Sequence, residues 1–194
     1  MDSMRTDAEG GLKRFLADQA KQAGDAVLSL FQFDSYVEEV FTAKPIASVE
    51  SIRIVPRGST ALLDAIGRTI EKTGQRLAAL PEAYRPGLVV IMIVTDGAEN
   101  CSTKYTKQMI AEMIAHQSSV YKWQFMYLGA NQDSFAVGNA LNMASNHTAN
   151  FKNAANAYNA TSAKMGRMRS MAEQGNLDGA IGESYTSAEL RSME

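Results

Sequence analysis

The segment Leu88-Val-Val-Ile-Met-Ile-Val-Thr-Asp-Gly97 decides the fold. Its apolar residues, 88 to 94, do not alternate with polar ones and are too few to cross a membrane. Such a run is typical of a strand buried on both faces at the centre of a parallel sheet covered by helices. Open α/β sheets bind ligands beyond the carboxyl ends of their strands. Asp96, just past this strand, is therefore either a ligand-binding residue or a residue that only shapes the turn with Gly97.

Helical and strand patterns alternate on both sides of this segment. Apolar residues at helical spacing predict helices near residues 3–22, 61–79, 106–116 and 134–141. Apolar and β-branched runs predict further strands near residues 26–33, 36–41, 51–55 and 122–128. This alternation predicts an α/β fold with a doubly wound, mostly parallel, Rossmann-like sheet and helices on both faces.

Composition divides the chain into three parts. We expect one α/β domain over residues 1–150. A weak helical stripe predicts a C-terminal helix over residues 151–173 that packs on the domain or extends it. Residues 174–194 are rich in Gly, Ser and Glu, which predicts a frayed, flexible tail.

The bulk composition excludes several classes of protein. The net charge of -2 gives no electrostatic reason to expect nucleic acid or an anionic membrane as partner. A single cysteine, Cys101, excludes an internal disulfide and fits a reducing cytoplasm. The first residues lack the apolar core of a secretion signal. We expect a cytoplasmic protein whose partner is neither nucleic acid nor a membrane.

Three predicted loops carry oxygen-bearing side chains to one rim of the sheet, because each follows a strand or precedes a helix. These side chains suit Mg²⁺, Mn²⁺ or Ca²⁺ better than zinc or copper. For Ser59 and Thr60 the alternative is a helix cap, and for Asn131 and Asp133 a turn and a cap are preferred to direct ligation. No nucleophile–base pair accompanies them, so we expect no enzyme activity. The candidate site residues are Ser59, Thr60, Asp96, Asn131 and Asp133.

Two motifs in order, Pro56-Arg-Gly-Ser-Thr-Ala-Leu-Leu-Asp-Ala-Ile66 and then Val90-Ile-Met-Ile-Val-Thr-Asp-Gly97, resemble the von Willebrand factor A (VWA) domain family. The resemblance is closest to the stand-alone bacterial or phage type and also covers Leu28-Ser-Leu-Phe-Gln-Phe-Asp34 and Phe125-Met-Tyr-Leu-Gly-Ala-Asn131. It implies a metal-ion-dependent adhesion site (MIDAS), where a divalent cation on the sheet rim is completed by a carboxylate of the bound protein. In this resemblance Thr60 matches the threonine ligand and Asp96 the aspartate of the third motif.

One family feature is missing from the sequence. The strand that ends in Asp-x-Ser-x-Ser is not recognisable, so only Thr60 and Asp96 remain of the usual ligand set. Two protein ligands imply weak binding, because Mg²⁺ keeps its waters unless several anionic groups are provided. In the family's sheet the absent strand lies between those matching residues 26–33 and 88–94. The resemblance leaves three outcomes: these strands pair directly, another molecule or copy donates a strand, or the protein starts upstream.

The leading functional prediction is a VWA-like module that binds an unidentified protein through a partial MIDAS holding Mg²⁺, Mn²⁺ or Ca²⁺. The first alternative is a metal-independent scaffold or assembly protein with a degenerate site. A Rossmann-like enzyme is the second alternative. It has little support, because Gly10-Gly11 is the nearest approach to a glycine-rich nucleotide loop and no predicted strand precedes it.

Overall fold

The computed structural model describes residues 2–55, 58–130 and 132–194, with side chains from Arg5 onward. The described residues form seven α-helices: α1 (Asp2–Lys21), α2 (Leu62–Ala78), α3 (Lys107–Tyr121), α4 (Ser134–Ala140), α5 (Ala154–Glu173), α6 (Leu177–Gly182) and α7 (Ser187–Met193). They also form five strands: β1 (Val27–Phe33), β2 (Val37–Pro45), β3 (Val90–Thr95), β4 (Gln124–Ala130) and β5 (Thr148–Phe151). The chain therefore has the predicted α/β class. None of the described helices has the length and apolar character needed to span a bilayer.

The strands belong to two separate sheets. β1 and β2 form an antiparallel pair, whereas β3, β4 and β5 form a parallel sheet in that order. Direct pairing of residues 88–94 with residues 26–33, one of the arrangements we predict, does not occur, because β1 and β3 lie in different sheets. The run that we predict to be central is instead an outer strand of its sheet, and β4 is the central one.

Burial along the strands follows from this order. All seven residues of β4 are buried, since the strand has a neighbour on each side and helices above and below. In β3, Ile91, Ile93 and Thr95 are buried while the residues between them are half-buried. None of the residues of β1 is fully buried. An apolar run thus predicts that helices cover both faces of a strand. It does not predict whether one or both edges of that strand pair with other strands.

Two helical layers cover the sheets. On one face, α2 and α3 pack on β3 and β4 through one apolar cluster that includes Leu62, Ile66, Ile110, Ile114, Ile91, Ile93, Phe125 and Tyr127. On the other face, Leu12, Phe15 and Leu16 of α1 cluster with Tyr158 of α5, and side chains of both β1 and β3 pack against that cluster. Trp123, which directly precedes β4, is 5% exposed and belongs to the first cluster.

The structure of residues 174–194 corrects the prediction of a frayed tail there. They form α6 and α7, and Ala180, Tyr185 and Met193 are buried. Asn176 caps α6, and Thr186 with Glu189 forms a capping box on α7. The prediction of a frayed tail was wrong because it rested on the proportion of polar residues alone. Helix caps and a few apolar side chains at helical spacing are enough to form a short helix and pack it on the domain.

Other differences concern short strands. Residues 51–55 form no regular secondary structure, although we predict a strand there. β5, which follows the buried His147, is a strand that the sequence analysis does not predict. With only four residues, β5 is too short to give a periodic signal.

The contact between α1 and α5 depends on a glycine. A Cβ at Gly11 would lie 2.6 Å from Ala155 Cα and 3.0 Å from Tyr158 Cδ2, whereas a Cβ at Gly10 would have nothing within 4 Å. We expect Gly11→Ala to lower the free energy of unfolding by about 1–3 kcal/mol through overpacking. Gly10→Ala, the matched control, should raise it by up to about 1 kcal/mol because alanine favours the helix. Urea denaturation of both variants tests this, and shifts of the same sign and size would contradict the packing.

Candidate functional site

Three chain segments meet where β1 and β3 end. Beyond β1, the Asp34 carbonyl accepts a hydrogen bond from the Ala61 N–H at 2.6 Å. Ahead of α2, the Thr60 N–H donates to Asn100 Oδ1 at 2.9 Å, and the Asn100 N–H donates to the Thr60 carbonyl at 3.1 Å. These bonds join the carboxyl ends of β1 and β3 to the start of α2. We call this edge of the molecule the rim.

Thr60 and Asp96 both lie on the rim. The Thr60 hydroxyl sits against Gly97, because a Cβ at Gly97 would be 2.5 Å from Thr60 Oγ1. Asp96, which directly precedes Gly97, is exposed. Within the described residues, neither the Thr60 hydroxyl nor the Asp96 carboxylate forms a hydrogen bond or ion pair with another side chain. Two residues distant in sequence are thus neighbours on the rim, and no described side chain binds the side-chain oxygens of either.

The turn that holds Asp96 is shaped by its neighbour. Thr95 Oγ1 accepts a hydrogen bond from the Gly97 N–H at 3.3 Å and donates to the Gly97 carbonyl at 3.1 Å. A side chain two residues before its backbone partner commonly closes such a turn. The alternative role for Asp96, that of shaping this turn, is therefore filled by Thr95.

Ser59 and Thr60 do not cap α2. The cap residue is Ala61, which has no capping side chain. The free N–H groups of the first helical turn are satisfied from the loop after β3: the Leu63 N–H donates to Glu99 Oε2 at 2.9 Å and the Asp64 N–H to Ser102 Oγ at 3.1 Å. The predicted alternative for Ser59 and Thr60 is wrong in this respect, because another loop supplies the caps.

Glu99 is the residue that fastens this loop. Besides Leu63, its carboxylate accepts hydrogen bonds from the Cys101 N–H at 2.9 Å, the Ser102 N–H at 2.8 Å and the Ser102 hydroxyl at 2.6 Å. Burial alone would raise the pKa of Glu99, but the hydrogen bonds from Ser102, Leu63 and Cys101 hold it below its ordinary value. Nothing in the sequence singles out Glu99, because Ser59 and Thr60 precede α2 as apparent caps of its own.

Asp64 makes the return contact. Its carboxylate accepts from the N–H groups of Thr103, Lys104 and Tyr105 at 2.9–3.0 Å. Burial opposes the charge, yet these three backbone donors lower the pKa of Asp64. The sequence suggests that Asp64 stabilises the first turn of its own helix. The structure shows that it also orders the loop that caps that helix.

The third predicted loop provides a helix cap and a contact with the turn that carries Asp96. Asp133 Oδ1 accepts from the Ala136 N–H at 3.0 Å and caps α4, the role preferred for it. Asn131 lies outside the described residues. Gln132, which the sequence analysis passes over, donates through Nε2 to the Gly97 carbonyl at 3.4 Å and accepts from the Tyr127 hydroxyl at 3.2 Å. It links the loop after β4 to the turn that carries Asp96.

The rim fits a hard cation in part. Thr60 and Asp96 offer one hydroxyl and one carboxylate oxygen donor, which suit Mg²⁺, Mn²⁺ or Ca²⁺. In the part of the chain that is described, no three His, Cys, Asp or Glu side chains converge as a metal cluster. A cation here would keep most of its coordination sphere for water or for groups of a bound molecule.

A second polar cluster lies away from the rim. Lys164 is 0% exposed, donates from Nζ to the Asn146 carbonyl, and lies 2.6 Å from His147 Nδ1 and 4.1 Å from the Tyr185 ring. Burial lowers the pKa of Lys164 to about 7 and that of His147 to about 4. His147 Nε2 is 2.9 Å from Gln124 Oε1, so both ring nitrogens of this buried histidine have a polar neighbour. The cluster holds β4, α5 and the C-terminal segment together but has no opening to solvent at Lys164.

No protein-family model matches the chain, and no curated protein matches it either.

Acidification tests the role of Glu99. A carboxylate whose pKa is lower in the folded state stabilises the fold above its unfolded pKa, and that stabilisation is lost as the pH falls through the folded value. The free energy of unfolding of the wild type should therefore fall as the pH drops below about 4.5, the ordinary glutamate pKa. Glu99→Gln lacks this carboxylate, so it should be less stable than the wild type at neutral pH and should lose less stability on acidification. At pH 7 we expect Glu99→Gln to cost about 1.5–3 kcal/mol, the usual contribution of hydrogen bonds to a charged group.

Thermal melting between pH 7 and pH 3 makes the comparison. Glu82→Gln, in an exposed turn, is the matched control and should follow the wild type throughout. Parallel pH curves for wild type and Glu99→Gln would contradict the assigned role.

Proposed function

We propose that this chain is a VWA-like protein-interaction module whose rim binds a partner through a divalent cation. The observation that carries the proposal is the position of the Thr60 hydroxyl against Gly97, next to the exposed Asp96, with neither side chain bound to another side chain among the described residues. The residues brought together are the two that the resemblance assigns to the metal site. If Thr60 were only a helix cap and Asp96 only a turn residue, their side-chain oxygens would accept hydrogen bonds from nearby backbone N–H groups. Among the described residues neither side chain does so.

Thr60 Oγ1 and an Asp96 carboxylate oxygen would hold the ion, with Ser59 as a further candidate. When bound, Mg²⁺ or Mn²⁺ supplies a positive charge with open coordination positions for a carboxylate of the partner. The protein's own part is to fix the two ligands, which the bonds between Thr60 and Asn100 and within the turn of Thr95 and Gly97 accomplish. Because two ligands leave the ion largely hydrated, we expect weak binding that a partner's carboxylate strengthens.

The surroundings of the rim favour a protein over a small molecule. Tyr36, two residues beyond Asp34, is 55% exposed, and Phe135, in the first turn of α4, is 43% exposed. Exposed aromatic side chains around a polar centre are typical of protein-binding surfaces. Two clefts of about 340 and 380 Å³ run along β1 and β2 and include neither Thr60 nor Asp96 among their lining residues.

The division between the two sheets supports the finer part of the proposal, a doubly wound VWA-like fold. The resemblance implies an absent strand between the strands matching β1 and β3, and the ladders stop at that place. A single doubly wound sheet would be completed by one strand there. The proposed fold is thus a VWA-like sheet in which the described residues supply no strand between β1 and β3.

A metal-independent scaffold is the second candidate function. It is favoured by the lack of a three-residue metal cluster among the described residues. Both candidates use the same rim as a protein-binding surface, and they differ in whether Thr60 and Asp96 act through an ion.

Thermal melting with and without Mn²⁺ or Mg²⁺ separates the two candidates. A ligand at ten times its Kd stabilises the folded state by about 1.4 kcal/mol, so millimolar ion should raise the wild-type Tm. Thr60→Ala and Asp96→Asn should each abolish this rise. Asp25→Asn, an exposed carboxylate that precedes β1 at the end opposite Asp34, is the control and should respond like the wild type. An unchanged wild-type Tm at 10 mM ion would exclude the cation and leave the scaffold.

A further inference from the structure

A cleft of about 340 Å³ lies between the β1–β2 pair and the second half of α2. Side chains of β1 and β2 form one wall, and Lys72, Thr73 and Arg76 of α2 are part of the other. Lys72 lies ten residues beyond Leu62, where α2 begins near the rim. The cleft is therefore about 15 Å along the helix from the rim. We call it the α2 cleft.

The β1–β2 pair is bulged where it lines the α2 cleft. In the register of the two strands, Ser29 lies opposite both Thr42 and Ala43, and the pairing passes over Val40. Each bulge adds one residue to β2 and so shifts the alternation of its side chains between the two faces. This shift explains why Glu39 and Thr42, three residues apart, both line the cleft.

Ala43 marks the bulge by its backbone conformation. Its φ of 48° lies in the left-handed region, which residues other than glycine rarely adopt. The Ala43 N–H donates to Ser29 Oγ at 3.0 Å, and this bond holds the conformation. Bulges and residues in this region are concentrated at binding sites, where they redirect side chains. The local shape of β2 therefore favours a binding site at the cleft.

Two positive side chains on the α2 wall have no acidic partner. Lys72 and Arg76 are four residues apart, so they share one face of the helix and repel each other. Within the part of the chain that is described, neither side chain forms a hydrogen bond or an ion pair. The carboxylate of Glu39, on the opposite wall, instead accepts a hydrogen bond from the Thr42 hydroxyl. The α2 wall therefore offers two uncompensated positive charges to a ligand.

The cleft has an apolar surface and a closed end. Phe31 of β1 is half-buried and lines it. Toward the rim, Phe33 packs into the core with α2, and Arg68 Nη1 donates to the Val37 carbonyl at 2.8 Å, which joins α2 to β2. Small-molecule sites have volumes of about 300–1,000 Å³, so the cleft has the size for a small molecule.

We propose that the α2 cleft binds a small phosphate monoester whose organic group lies against Phe31. At pH 7 a phosphate monoester carries a charge of roughly −1.5 to −2, which matches Lys72 and Arg76 together. The planar guanidinium of Arg76 can bind two phosphate oxygens at once, while Lys72 acts as a point charge. The organic group carries no negative charge, because Glu39 lies on the wall that it faces. This site goes beyond the proposed rim function and needs no cation.

Titration of the full ¹⁵N-labelled chain with phenyl phosphate, followed by nuclear magnetic resonance, tests the proposal. The buffer contains EDTA, so that success or failure of the cation site at the rim does not affect the result. We expect saturable shifts of the amides of residues 29–31, 39–43 and 72–76. Inorganic phosphate, which lacks the ring, should shift the residues of α2 and bind more weakly.

Variants then separate the two parts of the ligand. The double variant Lys72→Gln/Arg76→Gln should raise the Kd of phenyl phosphate by about tenfold or more, because it removes both charge-assisted contacts. Phe31→Leu should weaken the binding of phenyl phosphate and leave that of inorganic phosphate unchanged. Lys21→Gln, an exposed cation of α1 in the opposite helical layer, is the matched control and should bind like the wild type. Spectra without ligand verify that each variant is folded.

Three outcomes would overturn the proposal. An absence of saturable shifts at about 20 mM phenyl phosphate would show that the cleft binds no such ligand. Equal affinity of the wild type and the double variant would show that the phosphate binds elsewhere. Benzoate bound as tightly as phenyl phosphate would replace the phosphate monoester by a carboxylate.

Discussion

The reciprocal hydrogen bonds between the start of α2 and the loop after β3 are the constraint on which the rim depends. Glu99 binds the Leu63 N–H and then the N–H groups of its own loop, while Asp64 binds the N–H groups of residues 103–105. Neither segment would be ordered in this way alone, because α2 has no capping side chain and the loop has no regular structure. The Glu99 carboxylate thus takes the place of a helix cap on α2, and the Asp64 carboxylate orders the loop after β3.

This arrangement explains why no described side chain binds the Thr60 hydroxyl or the Asp96 carboxylate at the rim. In most helices a Ser or Thr before the first turn is consumed as a cap. Here Glu99 and Ser102 perform that task from another loop, and Thr95 closes the turn after β3. Thr60 and Asp96 are therefore positioned by their neighbours without being used by them. A pair of positioned but uncommitted oxygens is what a weak cation site or a polar contact with a partner requires.

The sequence predicted what depends on local pattern. The apolar run at 88–94 identified a strand beneath two helical layers, and the apolar stripe at Leu62, Ile66 and Ile70 identified α2. Thr60 and Asp96 were placed on one rim because the carboxyl ends of parallel strands share an edge. The sequence did not reveal Glu99 or Gln132, whose roles depend on which loops meet in space. It also misplaced β3 at the centre of a sheet, since pairing at a strand edge leaves no mark on side-chain hydrophobicity.

Nuclear magnetic resonance of the ¹⁵N-labelled chain during titration with Mn²⁺ tests the central claim most directly, because the paramagnetic ion broadens amides according to their distance from it. The account predicts that broadening begins at residues 59–61 and 96–98 and reaches Asp25, at the opposite end of β1, last. Broadening that starts elsewhere, or that affects exposed carboxylates all over the surface equally, would contradict a cation site at Thr60 and Asp96.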